Sequence, residues 1–248
     1  MTYCVGVCLE KGLVFMSDTR TNAGVDNVFT FRKMFTWEVP GERVITLMTA
    51  GNLATTQAVV SLLNERMKAP EDRQPGILQA ETMFQVAKMV GGLLRDTVQT
   101  QSEKGPESEA TFSATIIVGG QIAGAEPRLF LIYPEGNFIE ASDENPFFQI
   151  GEAKYGRPVL LRGYDPSISF EDAVKLLLLS FDSTLKANLS VGMPLDLLAY
   201  ETDSLNITGQ QRIEEDDPYF TGLSKSWGEV LNAAIRQLPP FSFASKDS

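Results

Sequence analysis

MTYCVGVCLEKGLVFMSDTRTNAGVDNVFTFRK, residues 1–33, is the stretch from which the rest of the chain is read. Residues 3–9 and 13–17 are short, apolar and β-prone, and Glu10-Lys11-Gly12 between them has the composition of a tight turn, so an antiparallel hairpin is predicted. With the turn centred on Lys11, Thr2 faces Arg20 and Cys4 faces Asp18. All four then share one face, and Thr2 and Asp18 become diagonal neighbours. A slip of one residue turns one strand over and removes that relation. The extended run that follows delivers Lys33.

Thr2 matters because an initiator methionine is generally removed when the second residue is small, which leaves threonine with a free amine. A hydroxyl is a weak nucleophile until a base takes its proton, and an α-amine with a pKa of roughly 7.7 to 8.0 is a competent base near neutrality. A lysine close by lowers the hydroxyl's pKa electrostatically, and an aspartate keeps that lysine charged and oriented. Lys33 and Asp18 are the candidates for those roles. Singly, a threonine that starts a strand and an aspartate that ends one need no function; the chemistry lies in the three together.

This combination resembles the proteasome-type β-subunits, N-terminal-nucleophile hydrolases of peptidase family T1. Residues 12–20 (GLVFMSDTR) resemble the family's second strand with its aspartate, residues 31–34 (FRKM) the strand that bears its lysine, and residues 44–51 (VITLMTAG) continue the likeness. Within the family, residues 21–35 (TNAGVDNVFTFRKMF) and 50–60 (AGNLATTQAVV) resemble the bacterial ancestral β-subunit group called Anbu, with no propeptide expected ahead of Thr2. The likeness spans nearly the whole chain. It implies an α+β fold of four layers, αββα, and a threonine-type hydrolase that acts on a peptide or amide substrate through an acyl-enzyme. It also implies a homo-oligomer, either a ring or an open helical assembly, and leaves an ATPase partner open. Carried over residue by residue, it makes Thr2 the nucleophile, Lys33 and Asp18 its tuning pair, and Gly51 a backbone donor to the oxyanion. Thr21, Phe31, Thr49 and Leu53 become the substrate pocket.

Three departures from the family pattern stand out. The interval from Asp18 to Lys33 is one residue shorter than usual. Where other members place a serine after a glycine, this chain has Gly151-Glu152, and where they place an aspartate it has Asn188-Leu189-Ser190. Glu152, Asn188 and Ser190 are therefore the candidate supporting residues. A carboxylate at 152 either holds the nucleophile's amine protonated or caps the following helix. These changes point to weak turnover, and the alternative reading is an oligomeric scaffold or binding module of the same fold.

Working outward, residues 28–39 read as a strand, 40–42 as a turn and 43–49 as another strand, both joining the hairpin's sheet. Helical spacing marks residues 53–67 and 77–100, with a loop at 70–76 between them and a polar loop at 101–110 after them. The apolar surface of the second helix is broad enough to be covered on two sides. Residues 111–118, 129–133 and 137–141 rebuild a second sheet. A leucine-rich helix follows at 171–188, then strands at 194–201 and 208–213, an acidic turn at 214–217 and a last helix at 221–237. Pro239-Pro240 and a tail bearing Phe241 and Phe243 form a C-terminal extension to a single domain of residues 1–248.

Composition removes whole classes of function. The 248 residues, 43% hydrophobic and 21% charged, suit one soluble core. The absence of histidine removes serine–histidine and cysteine–histidine catalysis and the commonest transition-metal ligand. A formal charge of −11 without a basic run argues against nucleic acid as a partner. No glycine pattern suits a phosphate or dinucleotide, so no cofactor and no metal are expected. No apolar run approaches the roughly 20 residues that cross a bilayer, and no signal peptide is evident, which predicts no membrane partner and a cytoplasmic location. Cys4 and Cys8 lie roughly 13 Å apart on one strand and cannot form a mutual disulfide.

Overall fold

The computed structural model describes residues 2–22, 28–68, 75–101 and 112–242. Strands β1 (Tyr3–Leu9) and β2 (Gly12–Asp18) form the expected hairpin and are buried on both faces along almost their whole length, as their unbroken apolar runs require. Their register differs by one residue from the one expected. The turn is Glu10-Lys11 alone, Leu9 pairs with Gly12, and Cys4 faces Ser17 rather than Asp18. Gly12 is the reason. At φ +146 it lies where a Cβ would sit 1.9 Å from the Tyr200 carbonyl oxygen, so it serves the close approach of a neighbouring strand and not the turn.

Beyond the hairpin, β3 (Arg20–Asn22) and β4 (Val28–Thr30) make a two-stranded ribbon, followed by β5 (Met34–Val39) and β6 (Arg43–Gly51). The single strand expected over 28–39 is therefore broken. At the break the Phe31 N–H donates to the Thr19 carbonyl at 2.9 Å, and the Lys33 carbonyl accepts from the Thr49 N–H at 3.0 Å, so the chain passes from ribbon to sheet there. Helix α1 (Leu53–Lys68) follows, then a 3-10 turn at Ile77–Gln79, and α2 (Met83–Gln101). α2 starts later than its periodicity suggested because Thr82 ends the preceding segment, its hydroxyl accepting the Gln85 N–H at 3.2 Å. Apart from residues 75, 76 and 101, the loops expected at 70–76 and 101–110 fall outside the described residues, as do Met1 and Phe243.

The remaining strands are β7 (Ala114–Ile122), β8 (Arg128–Ile132), β9 (Phe138–Glu140), β10 (Phe147–Gly151), β11 (Leu195–Glu201) and β12 (Gly209–Ile213). Helices α3 (Ala153–Gly163) and α4 (Phe170–Ala187) connect β10 to β11. Among the described residues, two five-stranded antiparallel sheets result, ordered β10-β1-β2-β11-β12 and β5-β6-β7-β8-β9. β5 and β6 were expected in the hairpin's sheet and belong instead to the other one. β6 is buried through all but its last residue and is flanked by β5 and β7, while the free edge of β2 is taken by β11 from far along the chain.

The sheets pack face to face through Leu13, Phe15, Met48, Ile117, Leu129 and Leu198. α1 and α2 cover one outer face, burying Val59, Leu63, Val86, Val90 and Leu94 against Ile45, Leu47, Val118 and Phe130, and α3 and α4 cover the other. This is the four-layer αββα sandwich. Fully burying each such aliphatic side chain contributes about 1.5–3 kcal/mol. α4 begins where Ser169 accepts the Asp172 N–H at 3.1 Å, with Glu171 and Asp172 in its first turn.

The chain divides after Glu215 into two compact units. The second holds α5 (Pro218–Gln237), which is started by Pro218 and capped by Asp217, whose carboxylate accepts the Phe220 N–H at 2.8 Å. No helix among the described residues is long and apolar enough to cross a membrane.

Candidate active site

Asp18 closes β2, and Lys33 stands at the break ahead of β5. Lys33 Nζ lies 2.8 Å from Asp18 Oδ1, with the two side chains 5% and 0% exposed. Lys33 also donates to the Arg20 carbonyl at 2.5 Å. Asp18 accepts two backbone N–H groups besides, from Tyr3 at 3.0 Å and from Gly192 at 3.3 Å. Burial pushes its carboxyl above the ordinary carboxylate range, while the Lys33 ammonium and the two amides pull the other way. The one-residue change of register thus replaces the diagonal Thr2–Asp18 relation that was expected. Asp18 meets the backbone of the residue after Thr2, not the Thr2 side chain.

Thr2 is 8% exposed and precedes β1. Its carbonyl accepts the Glu152 N–H at 2.7 Å. Beside it Gly151, paired with Tyr3, adopts φ +82 and has no room for a side chain, since a Cβ would sit 1.8 Å from the Thr2 carbonyl oxygen. Thr2 and Lys33 share one cleft of about 250 Å³. Gly51 lies on its wall at the end of β6, with φ +114 and with the Ser113 carbonyl 2.5 Å from any Cβ it could carry. Thr21, Thr49 and Leu53 line this cleft. Phe31 does not; its ring lies 6.1 Å from that of Phe29. Arg32, Phe35, Ala50, Asn52, Thr56 and Gln57 complete the wall among the described residues and were missed, because a cleft assembled from a break between strands and the start of α1 leaves no periodic signal.

The supporting positions divide. Glu152 occupies the N-cap position of α3 but its side chain makes no capping bond, and Lys154 Nζ approaches it at 3.7 Å. Asn188 and Ser190 bond to each other, the Asn188 side-chain Oδ1 accepting from Ser190 N at 3.0 Å and from its hydroxyl at 2.6 Å. They shape the turn that presents Gly192 to Asp18. Arg20 lies across that turn, donating to the Leu189 carbonyl at 3.1 Å, and a Cβ on Gly192 would come 2.1 Å from its Nε.

Tyr3 ties the site to the helices behind it. Its hydroxyl lies 2.7 Å from Ser180 Oγ on α4 and accepts from Gln149 at 2.5 Å. Ser180 in turn donates to the Gly156 carbonyl on α3 at 3.0 Å. Burial pushes the phenol up to about 12. Cys4 and Cys8 are both free, and burial raises the Cys4 thiol well above its usual range. Among the described residues no group of three or more acidic or cysteine side chains is placed to hold a metal ion.

Residues 2–196 match the family model of the proteasome subunit. The chain is 23% identical over 218 residues to the proteasome subunit beta of Haloquadratum walsbyi, a match that covers 86% of this chain and 79% of that one. Its structure resembles Anbu from Yersinia bercovieri with a TM-score of 0.92 at 45% identity, covering 98% of this chain and 100% of the other. For Anbu from Hyphomicrobium sp. strain MC1 the TM-score is 0.90 at 49% identity, over 98% and 100% of the two chains. For the helical assembly of the Anbu complex from Pseudomonas aeruginosa it is 0.88 at 42%, over 97% and 98%. By the span of the family match and by these identities over nearly its whole length, the chain belongs to the proteasome subunit family and, within it, to the Anbu ancestral β-subunits.

Proposed function

We propose that this protein is a threonine-type amide hydrolase whose nucleophile is Thr2, exposed by removal of Met1. The observation that carries the reading is the placement of Lys33 in the same cleft as Thr2, held there by a buried Asp18 that also binds the backbone next to Thr2. The Thr2 hydroxyl oxygen attacks the substrate carbonyl carbon while the α-amine takes its proton. The Lys33 ammonium favours the developing alkoxide, and Asp18 keeps that ammonium charged and aimed. The Gly51 N–H donates to the oxyanion, a kind of contact whose loss costs about 10²–10³ in rate. The amine then passes the proton to the leaving nitrogen, the carbon–nitrogen bond breaks, and an ester to Thr2 remains for water to hydrolyse. No cofactor is invoked.

Incubation with a threonine-directed peptide epoxyketone, followed by intact mass and peptide mapping, tests this. Modification confined to an N-terminal Thr2 is expected. A chain that keeps Met1, or label elsewhere, refutes it. The second reading, a scaffold of the same fold, draws on Glu152 and on the Asn188–Ser190 pair, which bond locally where other members place hydroxyl and acid groups. We further propose that the chain assembles with copies of itself, as a ring or an open helix. The helical assembly of the Pseudomonas aeruginosa relative supports this, as do exposed Ile235, Leu238 and Phe241. Light scattering that reports only the 27.3 kDa monomer at micromolar concentration would count against it.

A further inference from the structure

The cleft contains a cation that the chemistry above leaves unused. Lys33 is neutralised by Asp18 at 2.8 Å. Arg32, the residue before it, lines the same cleft, is exposed, and has no ion-pair or hydrogen-bond partner among the described residues. Around it Thr21, Thr49 and Gln57 offer hydroxyl and amide groups, and Phe35 and Leu53 offer apolar surface. Among the described residues the lining contains no aspartate or glutamate, in a chain with 32 acidic against 21 basic residues.

We propose that the cleft selects substrates with a carboxylate on the side chain next to the scissile carbonyl, glutamate-like in length, and that Arg32 is the residue that reads it. The location of that carbonyl rests on Thr2 being the nucleophile. A guanidinium presents a planar fork that matches both carboxylate oxygens, and a partly enclosed site screens the pair less than open surface does. The hydroxyl groups of Thr21 and Thr49 supply further donors, and Phe35 and Leu53 take up the methylenes. A lysine side chain in the same place meets Arg32 with no acid among the described lining residues to offset it. The protein's overall charge of −11 does not reverse this preference, because its distant charges are screened beyond a Debye length of about 8 Å.

The test separates binding from reaction. On Thr2→Ala protein, which cannot acylate, affinities are measured for three acetylated peptide amides, identical except for glutamate, glutamine or lysine at the last position. The glutamate peptide is expected to bind about tenfold more tightly than the lysine peptide, with glutamine between them and the gap narrowing as salt is raised. A further Arg32→Ala change brings the three together, and Arg32→Glu inverts their order. Equal affinities, a glutamate preference that survives Arg32→Glu, or no binding by any of the three overturns the proposal. In parallel, protein with Thr2 intact is treated with the epoxyketone built on the glutamate peptide. Failure to label Thr2 with the binding order intact refutes the nucleophile and leaves the selection by Arg32 standing, whereas labelling without the binding order does the reverse.

Discussion

Replacing Gly151 by alanine asks whether backbone packing fixes the position of Thr2. An alanine Cβ would start 1.8 Å from the Thr2 carbonyl oxygen, and the closest tolerable contact is 3.0 Å, so the two strands must part by about 1.2 Å. That movement strains the 2.7 Å bond from the Glu152 N–H to the same oxygen. Holding φ at +82 costs a further ~1–2 kcal/mol for any residue with a Cβ. A misplacement of about 1 Å costs on the order of 10²-fold in rate. Gly151→Ala is therefore expected to slow epoxyketone labelling of Thr2 about 100-fold and to lower stability by about 1–3 kcal/mol, roughly 2–4 °C in Tm per kcal/mol. Gly124 supplies the control, since it has a nearly identical φ of +81 with nothing within 4 Å of its Cβ position. Gly124→Ala carries the strain without the clash and should leave labelling unchanged. The assays are time-resolved intact mass and thermal denaturation. Labelling of Gly151→Ala at the native rate, with Tm no lower than in the Gly124 control, refutes the reasoning.

Three further outcomes follow from the same geometry. Lys33→Ala should abolish labelling and, by leaving a buried carboxylate without its cation, lower stability by about 3–5 kcal/mol at neutral pH; denaturant titration that shows no loss contradicts the buried pair. Asp18 has a folded-state pKa raised above its ordinary 3.8, so the stability contributed by its protonated form is complete below 3.8 and is lost as pH rises through the raised value. Denaturant titration across the acid range, with Asp18→Asn as the reference, checks this; a stability difference that does not fall as pH rises above 3.8 refutes the direction of the shift. Glu152→Ser should move the alkaline rise of the pH–rate profile toward neutrality while stability stays within about 0.5 kcal/mol, because the Glu152 side chain makes no capping bond. An unmoved profile with a lowered Tm would restore the helix-capping role.

Much of this was legible because it is written in local chemistry. Thr2, Asp18 and Lys33 could be proposed from one hairpin and one following segment, and the burial of β1, β2 and β6 from their apolar runs. Strand partners were not legible, since an apolar run specifies that a strand is buried and says nothing of which strand lies beside it; β5 and β6 were misplaced for that reason. The register failed at Gly12, whose glycine signal belonged to the Tyr200 carbonyl and not to the turn. The strand β10 was overlooked, and α3 was met only as a helix for Glu152 to cap, since Gly156 and Pro158 look like breakers. Gly156 is instead required by close packing, with a Cβ position 2.2 Å from Ser180 Oγ. Gly192 acts through its backbone N–H, a contribution that no residue pattern announces.

The bond from Tyr3 to Ser180 has a consequence for mutational tolerance. A methyl group added at Gly156 would meet the Tyr3 hydroxyl at 2.4 Å and Ser180 at 2.2 Å, so the spacing of α3 and α4 is set against the side chain that directly follows Thr2. Residues of this outer helical layer are therefore subject to the demands of a cleft they never touch. A screen for loss of labelling should find sensitive positions at 156 and 180, buried in a layer where inspection of the cleft alone would place none.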